Sequence, residues 1–72
     1  MDVVALKEIL QNDKISKDFY SLQGGLPNES YCIEKRGNNW EVYYSERGTK
    51  TDLKIFDTED EACKHLYKRI KQ

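Results

Sequence analysis

The chain has 72 residues, of which 38% are hydrophobic and 11% aromatic, a composition typical of one small folded domain over residues 1–72 and not of a disordered chain. Twelve basic residues against thirteen acidic ones give a net charge of -1, which excludes the strongly basic balance typical of nucleic-acid and membrane-surface binders. No apolar run approaches the roughly 18 residues of a membrane span. The first ten residues lack the apolar region of a secretory signal, so we expect a cytoplasmic protein.

The N-terminal segment has the pattern of an amphipathic helix. Asp2 is suited to cap it, and we predict that the helix runs to about Gln11. Its apolar stripe consists of Val3, Leu6, Ile9 and Leu10. Residues 15–22 fit either a short helix capped by Ser16 or an extended segment, and we favour a helical turn. Residues 24–28, with the sequence GGLPN, predict a loop.

The middle of the chain predicts an antiparallel hairpin. Side chains alternate between the two faces of a strand, so the apolar residues of both strands share a face only if the hairpin loop holds an even number of residues. The pairs expected on the core face are Lys35 with Trp40, Ile33 with Val42, and Tyr31 with Tyr44. The pairs expected on the outer face are Cys32 with Tyr43 and Glu34 with Glu41.

A third strand and a second helix complete the predicted order. Residues 51–56 predict a strand in which Leu53 and Ile55 share one face, whereas Asp52, Lys54 and Phe56 share the other. Thr58 and Glu61 form a capping box for a helix whose apolar face consists of Ala62, Leu66, Tyr67 and Ile70. We therefore predict an α+β fold, with a three-stranded antiparallel meander and helices on one face. Its order is α, then a short helix or turn, then β-β-β-α.

The candidate reactive residues do not form a catalytic or metal-binding pattern. Cys32 and Cys63 lack the spacing of a zinc site, and we expect reduced thiols rather than a disulfide. His65 is the only histidine, and Cys63, two positions before it on the same helix, points to another side. We predict a protein that is not an enzyme and needs no metal or cofactor.

The outer face of the sheet is the candidate partner-binding surface. The predicted register sends the aromatic residues Tyr43 and Phe56 outwards, and it places the carboxylates Glu34, Glu41 and Asp52 around them. Aromatic anchors surrounded by carboxylates suit an interface with a basic protein. The alternative is an ordinary solvated face.

The same order of elements occurs in double-stranded RNA-binding domains. In those domains the second helix begins with basic residues that contact phosphates. Here residues 57–61 carry four carboxylates at that place, so we do not expect nucleic acid as a partner.

Several segments together resemble a family of small bacterial immunity proteins. They are GGLPNE at 24–29, YCIE at 31–34, WEVYYSERG at 40–48, FD at 56–57 and EDEAC at 59–63. The likeness covers roughly residues 22–67. It implies a protein that binds and neutralises a cognate toxin, for example a basic nuclease. The outer strands of the predicted sheet leave edges that can pair between chains, so we expect a monomer or weak homodimer. We expect no membrane contact. A protein-binding adaptor or structural module is the alternative.

Overall fold

The computed structural model describes all 72 residues and shows two helices packed on one face of a four-stranded sheet. The elements are α1 (Val3–Asn12), a 3-10 turn (Lys17–Phe19), β1 (Tyr20–Ser21), β2 (Ser30–Arg36), β3 (Asn39–Glu46), β4 (Thr49–Phe56) and α2 (Glu59–Lys71). The strands lie in the order β1-β2-β3-β4, with β1 parallel to β2 and the other neighbours antiparallel. The α+β class is confirmed, whereas the predicted three-stranded antiparallel sheet is a four-stranded mixed sheet.

Both predicted helix caps are present. The Asp2 carboxylate accepts a hydrogen bond from the backbone N–H of Ala5 at 2.8 Å, and Thr58 Oγ1 accepts one from the N–H of Glu61 at 3.2 Å. Such caps satisfy donors that the first turn of a helix leaves without partners. Glu59 at the start of α2 also accepts from the N–H of Val3 at 2.8 Å, so the two helix N-termini are fastened together.

The core lies between the helices and the inner face of the sheet. Its fully buried members are Leu6, Leu10, Ile33, Val42, Ala62, Cys63 and Leu66. Complete burial of a leucine or isoleucine side chain contributes about 1.5–3 kcal/mol. In so short a chain, this small cluster therefore supplies much of the driving force for folding.

The ambiguous segment contains both of the structures that its sequence allows. Ser16 caps the 3-10 turn by accepting from the N–H of Asp18 at 3.2 Å, and the chain then becomes extended at β1. Tyr20 pairs with Tyr31 of β2 and packs against the core, which explains why the chain adds a strand here. Propensity alone did not predict this parallel pairing, because it depends on a contact with a distant strand.

The predicted hairpin register is confirmed at every pair. On the inner face Tyr31 lies opposite Tyr44, and Ile33 lies opposite Val42. The remaining predicted pairs are Lys35 with Trp40, Cys32 with Tyr43, and Glu34 with Glu41.

Leu53 and Ile55 share one face of β4, and Lys54 and Phe56 share the other, as predicted, but the prediction that Phe56 faces outwards is wrong because a β-bulge interrupts the pairing of β4 with β3. Val42 pairs with Lys54, and Tyr44 pairs with Thr51. Two residues of β4, Asp52 and Leu53, therefore lie opposite one residue of β3, Tyr43. The additional residue reverses the alternation beyond it. Phe56 consequently packs against the core, while Leu53 and Ile55 are exposed on the outer face.

The outer face is also less open than predicted. Residues 22–29, which we call the covering loop, connect β1 to β2 and pass over the outer side of β2 and β3. Backbone groups of Gly25 in this loop bond to the side chains of Glu34 and Tyr43. As a result, Cys32 and Tyr43 are fully buried although they lie on the face away from the helices.

Candidate partner-binding site

The five residues predicted to bind a partner do not form one surface. Glu34, Glu41 and Tyr43 belong to the outer face. Phe56 belongs to the inner face, where its ring lies 5.0 Å from that of His65. Asp52 lies on the bulge at the sheet edge, with 84% of its side chain exposed.

Tyr43 anchors the covering loop and is not exposed surface. Its hydroxyl donates a hydrogen bond to the carbonyl of Gly25 at 2.7 Å, and Lys50 Nζ lies 4.6 Å from the centre of its ring. Burial raises the pKa of the phenol, so the hydroxyl keeps the proton that it donates. The prediction that Tyr43 and Phe56 form an outward aromatic surface is therefore wrong.

The two outer-face carboxylates are engaged within the protein. Glu34 accepts from the N–H of Gly25 at 3.1 Å and lies 3.3 Å from Arg36, and the bond from Gly25 lowers its pKa. Glu41 lies 3.1 Å from Lys50 and 3.8 Å from the same Arg36. These cations offset the repulsion between the two opposed carboxylates, and little free negative charge is left for a partner.

A groove of about 1030 Å³ opens at one end of the inner face. It lies between the ends of α1 and α2, the 3-10 turn and one end of β2, β3 and β4. Its lining consists of Lys14, Ile15, Ser16, Asp18, Phe19, Asn28, Glu29, Tyr31, Tyr44, Thr51, Asp52, Arg69, Ile70 and Gln72. Of the predicted partner-binding residues, only Asp52 is among them.

Two tyrosines and an arginine form the floor of this groove. Tyr31 and Tyr44 pair across the strands with ring centroids 4.9 Å apart, and the guanidinium of Arg69 lies 5.5 Å from the centre of the Tyr31 ring. Arg69 Nη1 donates to the carbonyl of Asp52 at 3.1 Å, and Nη2 lies 3.7 Å from its carboxylate. Only 14% of the Arg69 side chain is exposed, so its position is fixed by α2, the bulge and Tyr31 together.

Three groove residues have an unusual backbone conformation. Lys14, Glu29 and Asp52 have φ angles of 58°, 53° and 52°, and only one other non-glycine residue, Arg47, has a positive φ. This conformation costs a non-glycine residue of order 1–2 kcal/mol. Strained backbone of this kind concentrates at functional sites, which makes the groove the better candidate site.

The pKa of the Tyr44 phenol lies above its ordinary value. Burial is the main cause that raises the pKa of this phenol, and the charges of Glu29 and Glu46 raise it further. The cross-strand tyrosine pair itself could be predicted from the register. The groove could not be predicted from the sequence, because it depends on how far the C-terminal turn of α2 extends over the sheet.

The cysteines and the histidine are embedded in the fold. Cys32 and Cys63 are buried free thiols, and burial raises the pKa of each to about 11, which keeps both protonated and weakly nucleophilic at neutral pH. His65 Nε2 is buried without a hydrogen-bond partner. No group of three or more histidine, cysteine, aspartate or glutamate side chains is arranged to hold a metal ion.

No helix combines the length and apolar character needed to cross a membrane. Comparison of the chain with protein-family models, with curated proteins and with solved structures gave no match.

Proposed function

We propose that this chain is a non-catalytic inhibitor of the immunity-protein type, which binds a bacterial toxin domain in the cytoplasm and blocks its activity. The binding surface in this proposal is the groove at the end of the inner face, and not the outer face. The observation that carries it is the cluster of Tyr31, Tyr44 and Arg69 at the groove floor, bordered by Phe19 with 58% of its surface exposed.

The composition of the groove is that of an interface centre. Tyrosine, phenylalanine and arginine are enriched in protein interfaces, and tyrosine and arginine often account for most of the binding energy. An exposed phenylalanine beside two half-buried tyrosines provides apolar area that a partner can cover. The carboxylates around it add charge that can guide a basic partner during association.

The groove is also held in shape before any partner arrives. Tyr67 of α2 donates a hydrogen bond to Asp13 at the end of α1 at 2.8 Å, which lowers the pKa of that carboxyl and fastens the two helix ends that flank the groove. Arg69 fixes α2 to the bulge on the other side. A preformed surface loses less conformational entropy on binding, which favours tight association.

Co-expression with the protein encoded by the neighbouring gene tests this function. We expect that the chain restores growth in cells that produce the toxin domain and that the two proteins elute as one complex in size-exclusion chromatography. The proposal is refuted if the chain does not protect growth and the two proteins form no complex at micromolar concentration. Complex formation without protection would support the adaptor function instead.

A pair of matched variants tests the surface. Phe19 in the groove and Ile55 on the outer face are exposed to 58% and 60%, so truncation of each to alanine removes a similarly exposed apolar side chain. We expect Phe19→Ala to weaken toxin binding by about tenfold or more and Ile55→Ala by less than about twofold, as measured by calorimetry. The reverse order would place the binding surface on the outer face.

A further inference from the structure

The covering loop is fastened to the outer face by polar contacts. Gly25 accepts a hydrogen bond from the Tyr43 hydroxyl at 2.7 Å, and its N–H donates to Glu34 at 3.1 Å. Further along the loop, Asn28 Oδ1 accepts from the backbone N–H of Arg47 at 3.2 Å. Water can replace each of these partners when the loop moves away, so each contact adds only a modest net stabilisation to the closed loop.

The loop has no fully buried apolar side chain that would hold it against the sheet. Leu26 has 52% of its surface exposed, and Pro27 is only half-buried. Leu22, at the start of the loop, packs against the core, and Ser30, directly after its end, donates to the carbonyl of Asp18 at 2.9 Å. The two ends of the loop are therefore anchored, while the part between them lacks the apolar burial that stabilises the core.

The loop also covers a hydroxyl that has no hydrogen-bond partner. Ser45 follows Tyr43 on the outer side of β3, and the loop bonds to the chain on either side of it, at Tyr43 and at Arg47. Ser45 is fully buried, and its Oγ forms no hydrogen bond. A buried polar group without a partner costs free energy that contact with water would recover. Closure of the loop thus carries a cost that opening removes.

The two cysteines lie on opposite sides of the sheet. Cys32 pairs with Tyr43 across the strands and is fully buried on the face that the loop covers. Cys63 belongs to α2 and is fully buried in the core between the helices and the sheet. Opening of the loop alone would expose Cys32 and leave Cys63 buried.

We propose that the covering loop is a lid that opens while the helices and the core remain folded. The open state exposes a strip of the outer face that the closed state hides, which consists of Ser30, Cys32, Tyr43 and Ser45. Asn28 and Glu29 belong both to the lid and to the lining of the groove, so opening also displaces one wall of the groove.

Alkylation of the wild type tests the lid without any partner. The folded protein is treated with iodoacetamide at about pH 8, and each thiol is followed by mass spectrometry, since trypsin places Cys32 in residues 18–35 and Cys63 in residues 55–64. The two thiols are matched probes, because both are fully buried and burial raises the pKa of each to about 11. We expect Cys32 to react at least about tenfold faster than Cys63. Equal rates would overturn the proposal.

Low concentrations of urea distinguish local opening from global unfolding. The urea dependence of such a rate grows with the surface that is exposed in the reactive state. The Cys32 rate should therefore change little, whereas the Cys63 rate, which requires unfolding of the core, should rise steeply. A parallel rise for both thiols would show that Cys32 also reacts only from the unfolded chain, which would refute the lid.

Two tyrosine variants provide a matched pair, because each loses one hydroxyl and keeps its ring. Tyr43→Phe removes a bond that is broken on opening, whereas Tyr67→Phe removes the bond to Asp13, which the open state keeps. We expect Tyr43→Phe to raise the Cys32 rate by roughly threefold to tenfold. Tyr67→Phe should raise the Cys63 rate and leave the Cys32 rate unchanged. An unchanged Cys32 rate in Tyr43→Phe, or an equal rise of that rate in both variants, contradicts the lid.

The link between the lid and the groove rests on the proposed function and is tested with the toxin domain. A partner that fills the groove and contacts Asn28 and Glu29 holds the lid closed, so alkylation of Cys32 should slow by about tenfold in the complex. An unchanged rate in the complex would refute this link. If no complex forms, the proposed function fails, and the rates measured on the free protein still decide whether the lid opens.

Discussion

Gly24→Ala is expected to destabilise the protein strongly, because Gly24 lies where the covering loop meets the outer face. Its φ is +75°, and a Cβ added there would lie 2.7 Å from Glu34 Cδ and closer still to Oε1. The left-handed backbone costs alanine about 1 kcal/mol. The Glu34 carboxylate must also move away from the N–H of Gly25, and loss of that charge-assisted hydrogen bond costs about 1–2 kcal/mol.

The total is about 2–3 kcal/mol, which in a domain of this size lowers the melting temperature by roughly 10–20 °C. Urea denaturation of four proteins separates the two contributions: wild type, Gly24→Ala, Glu34→Ala and the double variant. In the Glu34→Ala background the added methyl has no carboxylate to displace, so its cost should fall to about 1 kcal/mol. Gly48→Ala is the matched control, because its φ is +74° and nothing lies within 4 Å of the added Cβ. The reasoning is refuted if Gly24→Ala costs no more than Gly48→Ala, or if the cost is the same with and without Glu34.

Two further predictions concern the helices. Burial and the charges of Arg69, Lys54 and Lys68 hold the pKa of His65 below its ordinary value of 6.5, so the unfolded chain binds its proton more readily. The free energy of unfolding should therefore fall as the pH decreases from about 6.5 through the folded-state pKa. His65→Phe should remove this part of the decrease, which denaturation measurements between pH 7.5 and 5.5 would detect. The same pH dependence in wild type and variant would contradict the reasoning. Lys14→Gly should stabilise the protein by about 0.5–1 kcal/mol, since Lys14 has a φ of 58° after the end of α1, where glycine is preferred. A lower urea midpoint for this variant would show that Lys14 makes a compensating contact.

Local rules predicted the parts of the fold that depend on neighbouring residues. Asp2 and Thr58 are helix caps because their side chains reach donors within three positions, and the β2-β3 register follows from the alternation of side chains across one short turn. The α+β class follows from these elements. Where the relation is this local, the residue types alone fix the geometry.

The errors on the outer face have one physical cause, which is contact between segments that are separated in sequence. Tyr43 was predicted to face solvent because it alternates with Val42, yet Gly25, eighteen positions earlier, covers it. The hydrophobic periodicity of a sequence does not predict which strands a loop rich in glycine and proline will cover. Glu34 and Glu41 were likewise predicted to be free for a partner. In the structure Glu34 bonds to Gly25, and Glu41 lies within ion-pair distance of Arg36 and Lys50.

The bulge in β4 connects the largest error to the site. Trp40 and Tyr44 are four positions apart on β3, whereas their partners Phe56 and Thr51 are five apart on β4, and only an additional residue lets both partners face the helices. Because of this additional residue, Phe56 packs against the core and the carbonyl of Asp52 accepts a hydrogen bond from Arg69. Arg69 is then held over Tyr31 and leaves the Tyr44 ring free. The irregularity that turns Phe56 inwards is therefore also what positions Arg69 at the floor of the groove.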